Sequence, residues 1–182
     1  MNKYIAFLRA VNVGGHNKIK MDDLKKIFVS LGYKNVKTLI QSGNVIFESS
    51  ARDSKIITQK IEKKLQSSIG NDVKAFIRTE KEIEDIFNNI PFKNRKLDED
   101  ARIYIAFLYK QPDSRVKNLV KTLNNDHDTY FTGKKEIYCL IHKDKKRGSY
   151  FSILQLEKKL NHPLTTRSQT TILKIKNMLN NE

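Results

Sequence analysis

"YIAFL" occupies Tyr4–Leu8 and returns, letter for letter, at Tyr104–Leu108. The apolar run reads as a strand. Its recurrence invites a comparison of the residues downstream of each copy. After the first come Leu24, Ile27, Phe28 and Leu31 at helical spacing. "VKTLIQSGNVIFES" then reads as two extended runs joined at Ser42-Gly43-Asn44, a tight reversal with glycine at positive φ. Ile57, Ile61, Leu65 and Ile69 mark one face of a helix that Gly70-Asn71 closes. Val73–Ile77 reads as a strand. Ile83, Ile86, Phe87 and Ile90 form a helix ended by Pro91.

The order repeats after the second copy. Val116, Leu119, Val120 and Leu123 form a helix face. "DTYFTGKKEIYCLI" reads as two runs around Gly133. Ile153, Leu156 and Leu160 form another face, "HPLT" leaves room for a very short strand, and a last helix starts near Ser168. Both halves read β-α-β-β-α-β-α. The expected class is α+β: two ferredoxin-like halves related by internal duplication, with mainly antiparallel sheets and helices on one face. The halves span residues 1–91 and 102–182, with 92–101 as a charged linker. Each half alone is small, so the two are expected to pack together.

Between strand and first helix the halves differ. The first carries the long segment Val11–Met21, the second only "YKQP" before Asp113. An enlarged loop on one copy of a scaffold suggests a task of its own. In a split β-α-β sheet the third strand lies beside the first and antiparallel to it. "NVGG" and "QSGN" should therefore meet at one sheet end. Backbone amides at Gly14, Gly15 and Gly43 suit an anion or a carbonyl. Arg9, Lys18 and Lys20 supply charge; Asn12, Gln41, Ser42 and Asn44 supply neutral hydrogen bonds. The plain alternatives are chain reversal at the glycines and pairing of Arg9 with Asp22 or Asp23. Neither a phosphate loop nor a dinucleotide fingerprint is present.

Composition narrows the partners. The 182 residues carry a formal net charge of +15, which attracts anionic small molecules and nucleic acid. Most of that charge is lysine in an asparagine-rich chain, so codon bias is a competing source. No apolar run is long enough to span a membrane, and the N-terminus does not read as a secretory signal. A single cysteine, Cys139, excludes an intramolecular disulfide and fits cytoplasmic residence. It alternates with apolar neighbours, as a buried inert thiol would. The four histidines are scattered, "NNDHD" at Asn124–Asp128 has no second cluster to complete a metal set, and no cofactor is implied. "HKDKKRGSY", His142–Tyr150, reads as a solvated loop or a phosphate-contacting one.

The run Leu8–Phe47, "LRAVNVGGHNKIKMDDLKKIFVSLGYKNVKTLIQSGNVIF", resembles the bacterial domain of unknown function 1697. That family shows Leu-Arg-Gly/Ala-x-Asn-Val-Gly-Gly, then a methionine and a helix ending Leu-Gly-Phe/Tyr, then Val-x-Thr-x-Ile-Gln-Ser-Gly-Asn-Val. The resemblance implies a two-part α+β protein with no established biochemical activity. Near the C-terminus the family tends to carry Gly-x-x-Ser and then Thr-x-Arg-Asn-Trp-Asn-Thr. Gly148-Ser149 matches the first roughly. Thr165–Thr171 keeps Thr165 or Thr166, Arg167 and Thr171 but has Ser168-Gln169-Thr170 in place of Asn-Trp-Asn.

Thr166-x-x-Gln169 has the form of a capping box for the last helix. Arg167 would then stand in a first helical turn, where a cation opposes the dipole, and this nominates it as a ligand contact. Three functions are compatible with these residues: a binding module for an anionic ligand, whether nucleotide-like or nucleic acid; an enzyme acting on a small phosphorylated or carboxylated substrate through Asn12, His16, Gln41, Ser42 and Asn44; or a protein-interaction module whose glycines are structural.

Overall fold

The computed structural model describes residues 1–9, 11, 12, 18–39, 43–70, 72–92, 97–142 and 153–180, with backbone alone at 153–155. The fold is mixed α+β. Among the described residues it has two four-stranded antiparallel sheets and six helices. The chain divides into two compact units, Met1–Ile83 and Glu84–Glu182.

In the first unit, β1 (Asn2–Leu8) is flanked by β3 (Asn44–Ser49) and β4 (Ala75–Thr79), with β2 (Lys34–Leu39) on the far side of β3. All neighbours are antiparallel. Both faces of β1 are buried from Tyr4 to Leu8, which accounts for the uninterrupted apolar run. Tyr4, Ala6 and Leu8 join the core beneath α1 (Met21–Ser30) and α2 (Ser54–Ile69), together with Leu24, Phe28, Ile57, Ile61 and Leu65. Ile5 and Phe7, on the opposite face, are buried as well. The Phe47 ring anchors the core, stacked on Tyr4 at 5.8 Å and meeting Phe28 edge-on at 5.3 Å.

Local signals set the helix ends. Asp53 accepts the Lys55 amide at 2.8 Å to start α2, and Gly70 ends it at φ 77°. Helix α3 (Glu80–Asn88) opens with a capping box: Thr79 Oγ1 accepts the Glu82 amide at 3.1 Å, and Glu82 Oε2 accepts the Thr79 amide at 2.8 Å.

The second unit has β5 (Ala101–Leu108), α4 (Ser114–Thr122), β6 (Thr129–Thr132), β7 (Glu136–His142), α5 (Ile153–Leu160), β8 (Leu164–Ser168) and α6 (Gln169–Asn180). Its sheet order is β6-β7-β5-β8, again antiparallel throughout. The end of α3 belongs here: the Tyr138 hydroxyl donates to the Ile86 carbonyl at 3.3 Å. Phe92, in a segment that reads as a polar linker, is buried with its ring 5.5 Å from that of Phe131.

Two expectations change. The fourth strand runs to Thr79 rather than stopping at Ile77, so Arg78 lies inside it. The last strand likewise runs to Ser168, which places Arg167 in β8 and not in a helical turn. Thr166 therefore does not cap the final helix. Ser168 does, its Oγ accepting the Thr171 amide at 3.3 Å. In both cases ladder pairing with the central strand holds an arginine in extended backbone. Among the described residues, no helix is long and apolar enough to cross a membrane.

Candidate functional site

In the first unit the end of β1 reaches the residue that precedes β3. At the end of β1 the Leu8 amide donates to the Gly43 carbonyl at 2.8 Å, and Phe7 stands opposite Asn44. Gly43 has φ 72°, and a Cβ there would lie 2.9 Å from Leu8 Cβ and 3.2 Å from Val11 Cβ. Glycine is thus required twice, by backbone conformation and by close approach. Val11 is fully buried in this contact.

Asn12 comes next, at φ 54°, and closes the base of the enlarged loop. Its Oδ1 accepts the Ile19 amide at 2.8 Å, and its Nδ2 donates to the Ile19 carbonyl at 3.0 Å. One carboxamide satisfies both backbone groups of a residue seven positions on, much as a neighbouring strand would. Ile19 packs against the core while Lys18 and Lys20 are exposed. Arg9 is half-buried, and its amide donates to the Lys74 carbonyl at 2.8 Å. Asn44 is buried and donates through Nδ2 to the Leu39 carbonyl at 2.9 Å. Asp23 lies 3.2 Å from Lys26. Arg9, Asn12, Lys18, Gly43 and Asn44 thus gather at one end of the sheet. Gly14, Gly15, His16, Gln41 and Ser42 lie outside the described residues.

Arg167 belongs to the second unit. It is 8% exposed and donates to Thr165 Oγ1 at 2.9 Å and the Thr166 carbonyl at 2.7 Å. Burial pushes its guanidinium down to about 10. It remains a cation at neutral pH, engaged with its own strand.

The second unit also shows what the same sheet end looks like without enlarged loops. The Leu108 amide donates to the Lys135 carbonyl at 2.8 Å, and Phe107 stands opposite Glu136. Glu136 therefore holds the register that Asn44 holds in the first sheet. Its buried carboxylate accepts the Lys134 amide at 2.9 Å and the Lys135 amide at 3.0 Å. This turn is shorter: Gly133 bonds Glu136 directly across Lys134-Lys135, whereas Leu39 faces Asn44 across residues 40–43. The hairpin loop, as well as the β1–α1 loop, is enlarged in the first unit. Sequence inspection registers only the larger of the two differences, because the pairing register is needed to see the other.

Other candidates are quiet. Cys139 is fully buried and burial pushes its thiol up, so it is an unreactive core residue. His142 Nδ1 is hydrogen-bonded to the His127 carbonyl, and its Nε2 lies 3.7 Å from Asp98. Among the described residues, no group of three or more His, Cys, Asp or Glu side chains is arranged to hold a metal ion. An open depression on α1 is lined by Asp22, Lys25, Lys26, Val29 and Ser30.

A family model described as "Protein of unknown function (DUF1697)" matches residues 1–138. The chain belongs to the DUF1697 family. The match takes in both enlarged loops and ends within β7, so Arg167 and the altered Ser168-Gln169-Thr170 segment lie beyond it. A solved structure described as the conserved bacterial protein SP0830 from Streptococcus pneumoniae is similar to this DUF1697 protein over 98% of each chain. The TM-score is 0.72 and the identity 24%, a likeness of fold. A structure described as an unknown protein from Galdieria sulphuraria covers 92% of this chain and 98% of its own at 12% identity, with a TM-score of 0.25 too low to carry an argument. No curated protein matches.

Proposed function

We propose that this DUF1697 protein is a binding module for an anionic ligand, a nucleotide-like small molecule or a nucleic acid, held at the loop end of its first sheet. The observation that carries the reading is the Leu8–Gly43 bond. It ties the end of β1 to Gly43, next in the chain to Arg9 and to the Asn12–Ile19 bonds that hold the Lys18–Lys20 segment. The net charge of +15 favours an anion throughout. The carboxamides of Asn12 and Asn44 bond the backbone of the site's own loops, which favours binding over catalysis by these groups.

We read the two units as ferredoxin-like halves of one duplication. Equal strand order, equal register around each Tyr-Ile-Ala-Phe-Leu strand and matching buried arginines support this. In that reading one copy kept short turns and the other acquired the loops. Cytoplasmic residence fits the lone buried cysteine.

The test is fluorescence anisotropy with labelled single- and double-stranded oligonucleotides at several salt concentrations, beside a thermal-shift panel of nucleotides. Binding that Lys18→Ala/Lys20→Ala weakens supports the site. Absence of any interaction at low salt, with oligonucleotides and nucleotides alike, overturns it.

A further inference from the structure

We propose that Asn12 is the positioning residue of the anion site and does not itself touch the ligand: it holds Lys18 and Lys20 as a preset cationic pair. The inference rests on the loop-end binding reading above and assigns its parts. Both polar atoms of the Asn12 side chain are engaged with Ile19, the residue between the two lysines. Ile19 turns its side chain against the core cluster, and its neighbours on either side are exposed. Successive side chains of an extended segment point in opposite directions, and Lys20 has extended angles, φ −68° and ψ 144°. Fixing Ile19 inward at its backbone and at its side chain therefore fixes Lys18 and Lys20 outward together.

The device is costly in isolation. Asn12 has φ 54°, a conformation that non-glycine residues adopt rarely and asparagine tolerates best. Its side chain holds the segment that leads into α1. Alanine keeps neither advantage. Glycine accepts the backbone angle but cannot clasp Ile19. The second unit has no counterpart of the clasp, because β5 passes to α4 through residues 109–113 alone. The ligand chemistry that suits two lysines held side by side is a compact group with two or more negative oxygens, such as a phosphate or diphosphate.

The experiment titrates inorganic pyrophosphate into the full chain by isothermal calorimetry. The variants are Asn12→Gly, Asn12→Asp and Lys18→Ala/Lys20→Ala, each also melted without ligand. We expect the wild type to bind and the lysine double variant to lose binding at unchanged melting temperature. Asn12→Gly is expected to bind about tenfold more weakly, since the lysines must then be ordered on binding. Asn12→Asp keeps the acceptor for the Ile19 amide and should fall between the two. If Asn12→Gly does not fold, Asn12→Asp carries the comparison. Wild-type affinity in a folded Asn12 variant, with the lysine variant weakened, overturns the positioning role and leaves the binding site standing. A wild type that does not bind pyrophosphate overturns this inference, while the oligonucleotide and nucleotide measurements judge the broader reading separately.

Discussion

Arg78 and Arg167 stand at matching places in two different sheets. Arg78 lies opposite Ile5 and Arg167 opposite Ile105, each beside the second residue of a Tyr-Ile-Ala-Phe-Leu strand. Each is buried, and each donates through Nη1 to the carbonyl of the residue before it, at 2.8 Å for Arg78 and 2.7 Å for Arg167. The strands involved, β4 and β8, are at the sheet edges. The guanidinium thus satisfies a carbonyl of a strand that lacks a second neighbour.

Replacing Arg167 separates its packing from its charge. Arg167→Ala removes the stem and leaves Thr165 Oγ1 and the Thr166 carbonyl without this donor, for an expected loss of about 3 kcal/mol. Arg167→Met keeps most of the volume and removes a buried cation, so it should cost about 1–2 kcal/mol less than alanine. Urea unfolding at neutral pH measures both; equal losses would show that packing is irrelevant here. The pH dependence has a definite sign. The folded-state value, about 10, lies below the ordinary arginine value, so the folded chain releases this proton first. The contribution to stability therefore rises as pH climbs above about 10 and is lost as pH falls back through that value. Arg167→Met should lack that rise.

Two glycines at similar positive φ make a controlled pair. Gly32, at φ 81°, has nothing within 4 Å of an added Cβ, whereas Gly43, at φ 72°, has Leu8 Cβ at 2.9 Å. Gly32→Ala should cost about 1 kcal/mol for backbone strain alone. Gly43→Ala adds a clash with the clasp and should cost about 3 kcal/mol. Equal midpoints in urea would mean the Leu8–Val11–Gly43 contact is looser than its distances imply.

Asp113 gives an acid-sensitive cap. It accepts the Val116 amide at 2.8 Å, and that bond holds its carboxyl below the usual value of 3.8. Its stabilisation is present above the unfolded value and is lost as pH falls through the lower folded one. Asp113→Asn should melt below the wild type at pH 7, and the gap should close near pH 2–3, where both caps are neutral. Thermal melts across this range check it; a gap independent of pH would deny the charge a role.

Cys139 should resist a thiol reagent in the native state and react at once in denaturant, because it is fully buried and its thiol is pushed up by burial. Rapid native labelling would require local opening of β7.

Much of the framework is legible in the residues. Leu24 and Phe28, then Ile57, Ile61 and Leu65, are the buried faces their spacing implies, and Gly70 closes α2 as a C-terminal glycine should. The misreadings cluster where a charged side chain enters a strand. Arg78 looks like a strand end, and Arg167 looks like part of a helix turn, because a lone cation carries no sign of the carbonyl that will accept it. The capping box at Thr79 and Glu82 goes unread for the same reason, since a strand ended at Ile77 leaves Thr79 without a helix to open.

At the candidate site, the glycines and lysines can be picked out by type. The role of Asn12 cannot, since its partner Ile19 is seven residues away across a loop.

By itself the amino-acid order determined the elements: which stretches are extended, which are helical and which faces are apolar, since periodicity and turn chemistry act within a few residues. Tertiary structure alone decided that Val11 packs on Gly43, that Asn12 clasps Ile19, and that two arginines are buried in edge strands. Those outcomes depend on strand register and loop closure, which are settled by contacts between residues distant in sequence and leave no periodic trace along the chain.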